Sequence, residues 1–184
     1  MLDVGASSGE MGRCLTRHVS NVKVVSLDHR PLHLRSALSP RVVADALHLP
    51  FARHAFDFVL CSSMLHHFPD SCVVDMISTL RHFARRPLLL LDLERHPVAY
   101  HFLPMTSRVF GWCPLTVHDG PMSVAAAFRV EELASMANAA GATVLAARRH
   151  WPWFRISVVV PSGVRQVARI SGASQPQAFS SAAD

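Results

Sequence analysis

The sequence predicts an α/β fold built on a doubly wound, mostly parallel sheet, and three observations carry that reading. The chain opens with an apolar run that breaks at Gly5-Ala6-Ser7-Ser8-Gly9 and continues into residues 11–19, a segment able to form a helix. Two short runs rich in β-branched residues follow and end in acids, at Asp28 and at Asp45, as strands ending in loops would. Residues 87–93 then form a continuous apolar run, which suits a strand covered on both faces.

Taken in chain order, the opening is a strand turning sharply into a helix. Its glycines let backbone approach a small molecule, and the helix start offers unpaired N–H groups. A dinucleotide fingerprint would place glycines where Ser7 and Glu10 stand, and so is excluded. A P-loop would need a lysine after its last glycine, and none follows here. Gly5-Ala6-Ser7-Ser8-Gly9 also reads literally as G-x-S-x-G, the nucleophile elbow of hydrolases. A serine hydrolase using Ser7 is therefore a minor alternative. It is disfavoured because the chain has almost nothing ahead of Gly5 to supply the second oxyanion donor.

Residues 22–27 read as the second strand, with Asp28 at its tip. A carboxylate about twenty residues after such a turn is placed to accept from ribose hydroxyls. Residues 41–44 read as a third, short strand before Asp45-Ala46. A fourth strand covers 59–61, and a helix ends within 78–83 ahead of the apolar run 87–93. A helix is expected over 130–140, with Gly141 as its natural terminator. The last strands are expected at 143–147 and 154–160.

Four of these segments together resemble the motifs of class I S-adenosylmethionine-dependent methyltransferases. Leu2-Asp3-Val4-Gly5-Ala6-Ser7-Ser8-Gly9 resembles the first motif, hDhGxGxG, with Ser7 in place of the middle glycine. Asp28 stands where the family's ribose-binding acid stands. Asp45-Ala46, followed by Leu49-Pro50-Phe51, resembles the third motif, whose aspartate accepts the adenine amine. Ala55 through Asp70 resembles FDhVhxxxxLHHxxD, as found in the branch that includes ubiquinone and menaquinone biosynthesis enzymes. The resemblance covers residues 1 to about 160 and implies a seven-stranded sheet whose last strands pair antiparallel. It implies S-adenosyl-L-methionine as cofactor, held by Asp3, Gly5, Ala6, Ser7, Gly9, Asp28, His29, Asp45, Ala46 and Ser62. It puts the fourth strand at the sheet's switch point, where open α/β sheets bind ligands.

Methyl transfer needs mostly positioning, plus a base where the acceptor is a hydroxyl or an amine. His67, and less so His66, are the candidates, because imidazole titrates near neutrality. No metal site is expected, since adjacent histidines rarely aim at one ion. Between the fifth strand and the next helix lies an insert, about 94–129, that holds His96, Tyr100, Phe102, Met105, Phe110, Trp112 and Met122. Inserts this long in a compact domain are usually functional, and the composition suits a lid over a hydrophobic acceptor. The expected reaction is O- or C-methylation of a quinone-precursor, phenolic or polyketide-like metabolite. An inactive or merely cofactor-binding protein is the main alternative. Family members usually carry helices ahead of the first motif, so the front is read as truncated. The first strand is then expected to leave its neighbours' pairing groups unmet.

The composition sets further limits. Half the residues are apolar, yet no run reaches transmembrane length, and the amino terminus lacks the pattern of a signal peptide. The net charge is +5 with scattered arginines, too dispersed to imply a nucleic-acid partner. The four cysteines show no C-x-x-C pairing and read as reduced thiols of a cytoplasmic protein. The tail, 161–184, is rich in Ser, Ala, Gly and Gln and reads as disordered.

Overall fold

The structure is a computed structural model and describes residues 1–37 and 40–163. The tail expected to be disordered lies, from residue 164 on, outside the described residues. Strands β1 (Leu2–Val4), β2 (Val25–Asp28), β3 (Arg41–Val43), β4 (Val59–Ser62), β5 (Leu88–Leu93), β6 (Ala146–His150) and β7 (Arg155–Val160) form one sheet in the order β3-β2-β1-β4-β5-β7-β6. The first five strands pair parallel, while β7 runs antiparallel to both β5 and β6. This is the doubly wound, seven-stranded architecture expected, and its direction of winding reverses between β1 and β4.

Among the described residues five α-helices accompany the sheet: α1 (Glu10–His18), α2 (Asp70–Leu80), α3 (Pro97–Phe110), α4 (Pro114–Ala126) and α5 (Val130–Ala139). Helices α2 and α5 pack together against one face. Val73, Met76, Ile77, Leu80 and Leu133 there meet Leu2, Val59, Leu88, Leu90, Ile156 and Val158 of the strands. Each such side chain contributes about 1.5–3 kcal/mol on burial. The opposite face is less covered. Along β5, Leu88, Leu90 and Asp92 are buried, while Leu89, Leu91 and Leu93 are only half-buried. The apolar run therefore does not mark a strand covered equally on both faces.

The short first strand does not leave its neighbours unpaired. Leu2 donates its N–H to the Phe58 carbonyl at 3.0 Å, and the Met1 carbonyl accepts from Val25 N–H at 2.9 Å. Strand β3 is as short as β1 and β2 is one residue longer, so three residues of β1 suffice to join its neighbours. Two elements are displaced from expectation by about three residues at a boundary, the others by no more than one or two. Strand β2 starts at Val25 rather than residue 22, and β6 occupies Ala146–His150 rather than 143–147. The register of β6 is set by its pairing with β7, and its exposed Arg148 and Arg149 suit an edge strand. The insert is not a loop. It folds into α3 and α4, each started by a proline at its first turn, a position where the missing N–H costs nothing.

Candidate active site

The glycine turn after β1 is wound by left-handed residues: Gly5 at φ 72°, Ser7 at φ 48° and Gly9 at φ 76°. Ser7 stands where the family motif has its middle glycine and takes the glycine-like conformation. Its N–H donates to Asp28 Oδ2 at 3.1 Å, and Ala6 N–H donates to the Leu27 carbonyl at 2.9 Å. The turn and the tip of β2 are thereby joined. A Cβ on Gly5 would meet the flexible Met64 side chain, with Met64 Cγ at 2.9 Å. The atoms nearest to that face of Gly5 belong to a side chain that can move.

Asp28 is buried. Its Oδ1 accepts from Arg30 N–H at 2.9 Å, and the Nδ1 atoms of His29 and His33 lie 3.4 and 3.3 Å from the same oxygen. Carboxylate oxygens accept more than one hydrogen bond each, which leaves capacity for ligand hydroxyls. Asp45 follows β3 two residues on, beside the Ala44 N–H that donates to the Asp28 carbonyl at 3.2 Å. It is exposed, with Oδ1 bound by Leu47 N–H at 2.9 Å and Oδ2 3.0 Å from His48 Nδ1. The Leu47 N–H and the His48 side chain hold its pKa below the usual carboxylate range. Ala46 and Ser62 are half-buried.

Asp3 lies beneath the turn, in β1, and is 1% exposed. Burial lifts its carboxyl to about 6, and a hydrogen bond from the Gly12 backbone partly offsets this. Asp3 Oδ2 and Ser26 Oγ are buried without a hydrogen-bond partner among the described residues.

Across the switch point, β4 ends in a strained Ser63 at φ 51° and a 3-10 turn, Leu65–His67. His66 is buried and His67 is exposed, with their ring centroids 4.1 Å apart. Burial lowers the His67 pKa, as does neighbouring His66, while Asp92 opposes them. Helix α4 packs on this turn.

The structure thus gathers the predicted residues at one edge of the sheet, in two groups. Gly5, Ala6, Ser7, Gly9, Asp28, His29, Asp45 and Ala46 cluster outside β1–β3, and Ser62, His66 and His67 sit at the end of β4. Ser7 Oγ receives no histidine hydrogen bond among the described residues, so no hydrolase triad is assembled there. Sequence reading missed His33, Met64 and Asp92. Asp92 is the charged interruption of an otherwise leucine-rich buried strand, and that interruption was the available signal.

Comparison with known proteins agrees with this fold. Residues 2–90 match the family described as a methyltransferase domain. A demethylmenaquinone methyltransferase of Porphyromonas gingivalis is 27% identical over 166 residues, covering 77% of this chain and 66% of that protein. A S-adenosylmethionine-dependent methyltransferase from Aquifex aeolicus superposes with a TM-score of 0.61 at 16% identity, over 86% of this chain and 79% of its own. Magnesium protoporphyrin IX methyltransferase from Synechocystis PCC 6803, solved with bound S-adenosylhomocysteine, gives a TM-score of 0.61 at 16% identity, over 88% and 73%. The chain is similar, over residues 2–90 and in its fold, to class I S-adenosylmethionine-dependent methyltransferases, whose cofactor is S-adenosylmethionine. The residues present fit that cofactor: a glycine turn whose Gly5 faces the movable Met64 side chain, a buried carboxylate at the β2 tip, and a buried oxygen on Asp3 without a hydrogen-bond partner among the described residues. No helix among the described residues is long and apolar enough to cross a membrane.

Proposed function

We propose that this chain transfers a methyl group from S-adenosylmethionine to oxygen or carbon of a small, fairly hydrophobic acceptor. The observation that carries this reading is the hydrogen bond joining the glycine turn to Asp28, with the histidine turn beside it across β4. The cofactor, when bound, supplies an activated methyl on a sulfonium. The turn Gly5 to Gly9 presents backbone to it, Asp28 accepts from its ribose hydroxyls, and His29 flanks that carboxylate. Asp45 and Ala46 meet the adenine, while Asp3 and Ser62 line the methionine end. Exposed His67 takes the acceptor's proton, and its lowered pKa keeps it a free base at neutral pH.

Helices α3 and α4 act as the lid and acceptor wall. A mostly apolar hollow of about 220 Å³, lined by His96, Pro97, Tyr100, Val124 and Ala125 with Arg95 and Arg129, supports an aromatic or polyketide-like acceptor. Two of the proteins named above act, by their names, on a demethylmenaquinone and on a protoporphyrin, which are acceptors of that kind. Free cysteines throughout the described residues support a reducing, cytoplasmic setting.

Calorimetric titration with S-adenosylhomocysteine, with NAD as control, tests the cofactor half of this reading. Transfer of labelled methyl from S-adenosylmethionine to a panel of phenols and quinols tests the other half. Binding without any transfer would favour a cofactor-binding protein that is not a catalyst.

A further inference from the structure

The role given above to His67 leaves unexplained why its neighbour His66 is buried and what a carboxylate does inside β5. Asp92 is wholly buried. Its Oδ1 lies 2.6 Å from His66 Nδ1 and accepts from Leu93 N–H at 2.7 Å. Its Oδ2 accepts from Leu65 N–H at 2.9 Å and from His66 N–H at 3.3 Å. Three of these four neighbours are backbone N–H groups, which can only donate, and they converge on a group that can only accept. The imidazole completes the set if its proton sits on Nδ1. The same carboxylate thus grips both the His66 ring and the backbone of the turn that carries His67.

We propose that Asp92 is the positioning residue of this centre: it fixes the His66 proton on Nδ1, leaves Nε2 as a lone-pair acceptor, and anchors the 65–67 turn on which His67 stands. The inference rests on the reading of His67 as the base, but its geometry does not depend on the cofactor. Neutral imidazole carries one proton, and the partner of one nitrogen decides which nitrogen holds it. A ring so fixed packs under His67 in one orientation, with the centroids 4.1 Å apart, and restricts how His67 can turn.

The Asp92→Asn substitution is nearly isosteric and makes an opposite demand. With its amide oxygen toward Leu65 and His66 N–H, its NH2 faces His66 Nδ1, which must then give up its proton, and only Leu93 N–H is left without an acceptor. The reverse orientation keeps the tautomer but turns NH2 against two backbone donors. The first leaves fewer donors unmet, so the substitution should move the His66 proton to Nε2.

Nitrogen-15 histidine labelling of the full chain, read by long-range proton–nitrogen correlation at pH 8, tests this, with His66→Gln used to assign the ring. The wild type is expected to show His66 protonated on Nδ1 alone, and Asp92→Asn to show it protonated on Nε2. S-Adenosylhomocysteine should bind both proteins with the same Kd. Wild-type His66 carrying a proton on Nε2 overturns the proposal, and this reading stands even if Asp92→Asn does not fold. An unchanged tautomer in folded Asp92→Asn also overturns it, as does loss of S-adenosylhomocysteine binding by that folded variant. If neither protein binds S-adenosylhomocysteine, the functional reading above fails while the tautomer result keeps its meaning.

Discussion

The N–H of Ser7 points at Asp28 Oδ2 across 3.1 Å, and it does so from a backbone conformation, φ 48°, that serine rarely adopts. The hydrogen bond and the strain belong together. The left-handed twist aims the N–H toward the tip of β2, and the charge-assisted bond offsets part of what the twist costs. Ser7→Gly should keep the bond and relieve the twist, raising stability by up to about 1 kcal/mol after glycine's extra chain entropy. Ser7→Val should lower it by about 1–3 kcal/mol. Urea midpoints of the three proteins check both, and equal midpoints would mean that the turn bears no strain.

Asp28→Ala should weaken S-adenosylhomocysteine binding by about 1–3 kcal/mol, the scale of hydrogen bonds to a charged group. The same variant removes the acceptor of Ser7 N–H, so Asp28→Asn serves as the milder comparison. Calorimetry on both proteins decides, and undiminished affinity would remove the ribose assignment.

Asp3 makes stability depend on pH. Its folded-state value, about 6, lies above the ordinary 3.8, so the folded chain holds this proton to higher pH than the unfolded chain does. Its contribution is fully present below about pH 3.8 and is lost as pH rises through 6. The total change is about 3 kcal/mol. Asp3→Asn has no such proton to lose. Its stability relative to wild type should rise between pH 4 and pH 7, measured by denaturant titration at each pH. Parallel curves for the two proteins would show that Asp3 does not titrate in this range.

His67→Gln should lower kcat about 10²–10⁴-fold on an oxygen acceptor, the usual worth of a general base, and leave the Kd for S-adenosylhomocysteine unchanged. A full-rate variant would shift the proton acceptor to bulk water or to another side chain.

The parts of the site legible in the sequence are those made by neighbours along the chain. The glycine turn, the acid at the end of β2 and the Asp45-Ala46 pair each follow a short strand, and local pattern located all three. Asp92 and His66 are 26 residues apart, and only the parallel pairing of β4 with β5 brings them together. The position of β6 escaped for the same reason, since its register is dictated by β7. In the insert, Pro104 and Pro121 lie inside α3 and α4, although proline disfavours a helix interior. Tertiary packing of the two helices against each other outweighs local propensity there.

The strands of this sheet are uneven. Those that flank the glycine turn, β1 to β3, are three to four residues long, whereas β5 and β7 pair over six. Fewer cross-strand bonds mean lower local opening energies, so amide hydrogens in β2 and β3 should exchange with solvent well before those of β5 and β7. A ligand that binds outside β1 to β3 joins their loops together and adds its own binding energy to that weaker half. On addition of S-adenosylhomocysteine, protection should therefore rise in β2 and β3 and stay level in β5 and β7, which makes the cofactor a fastening for the half of the sheet that holds it.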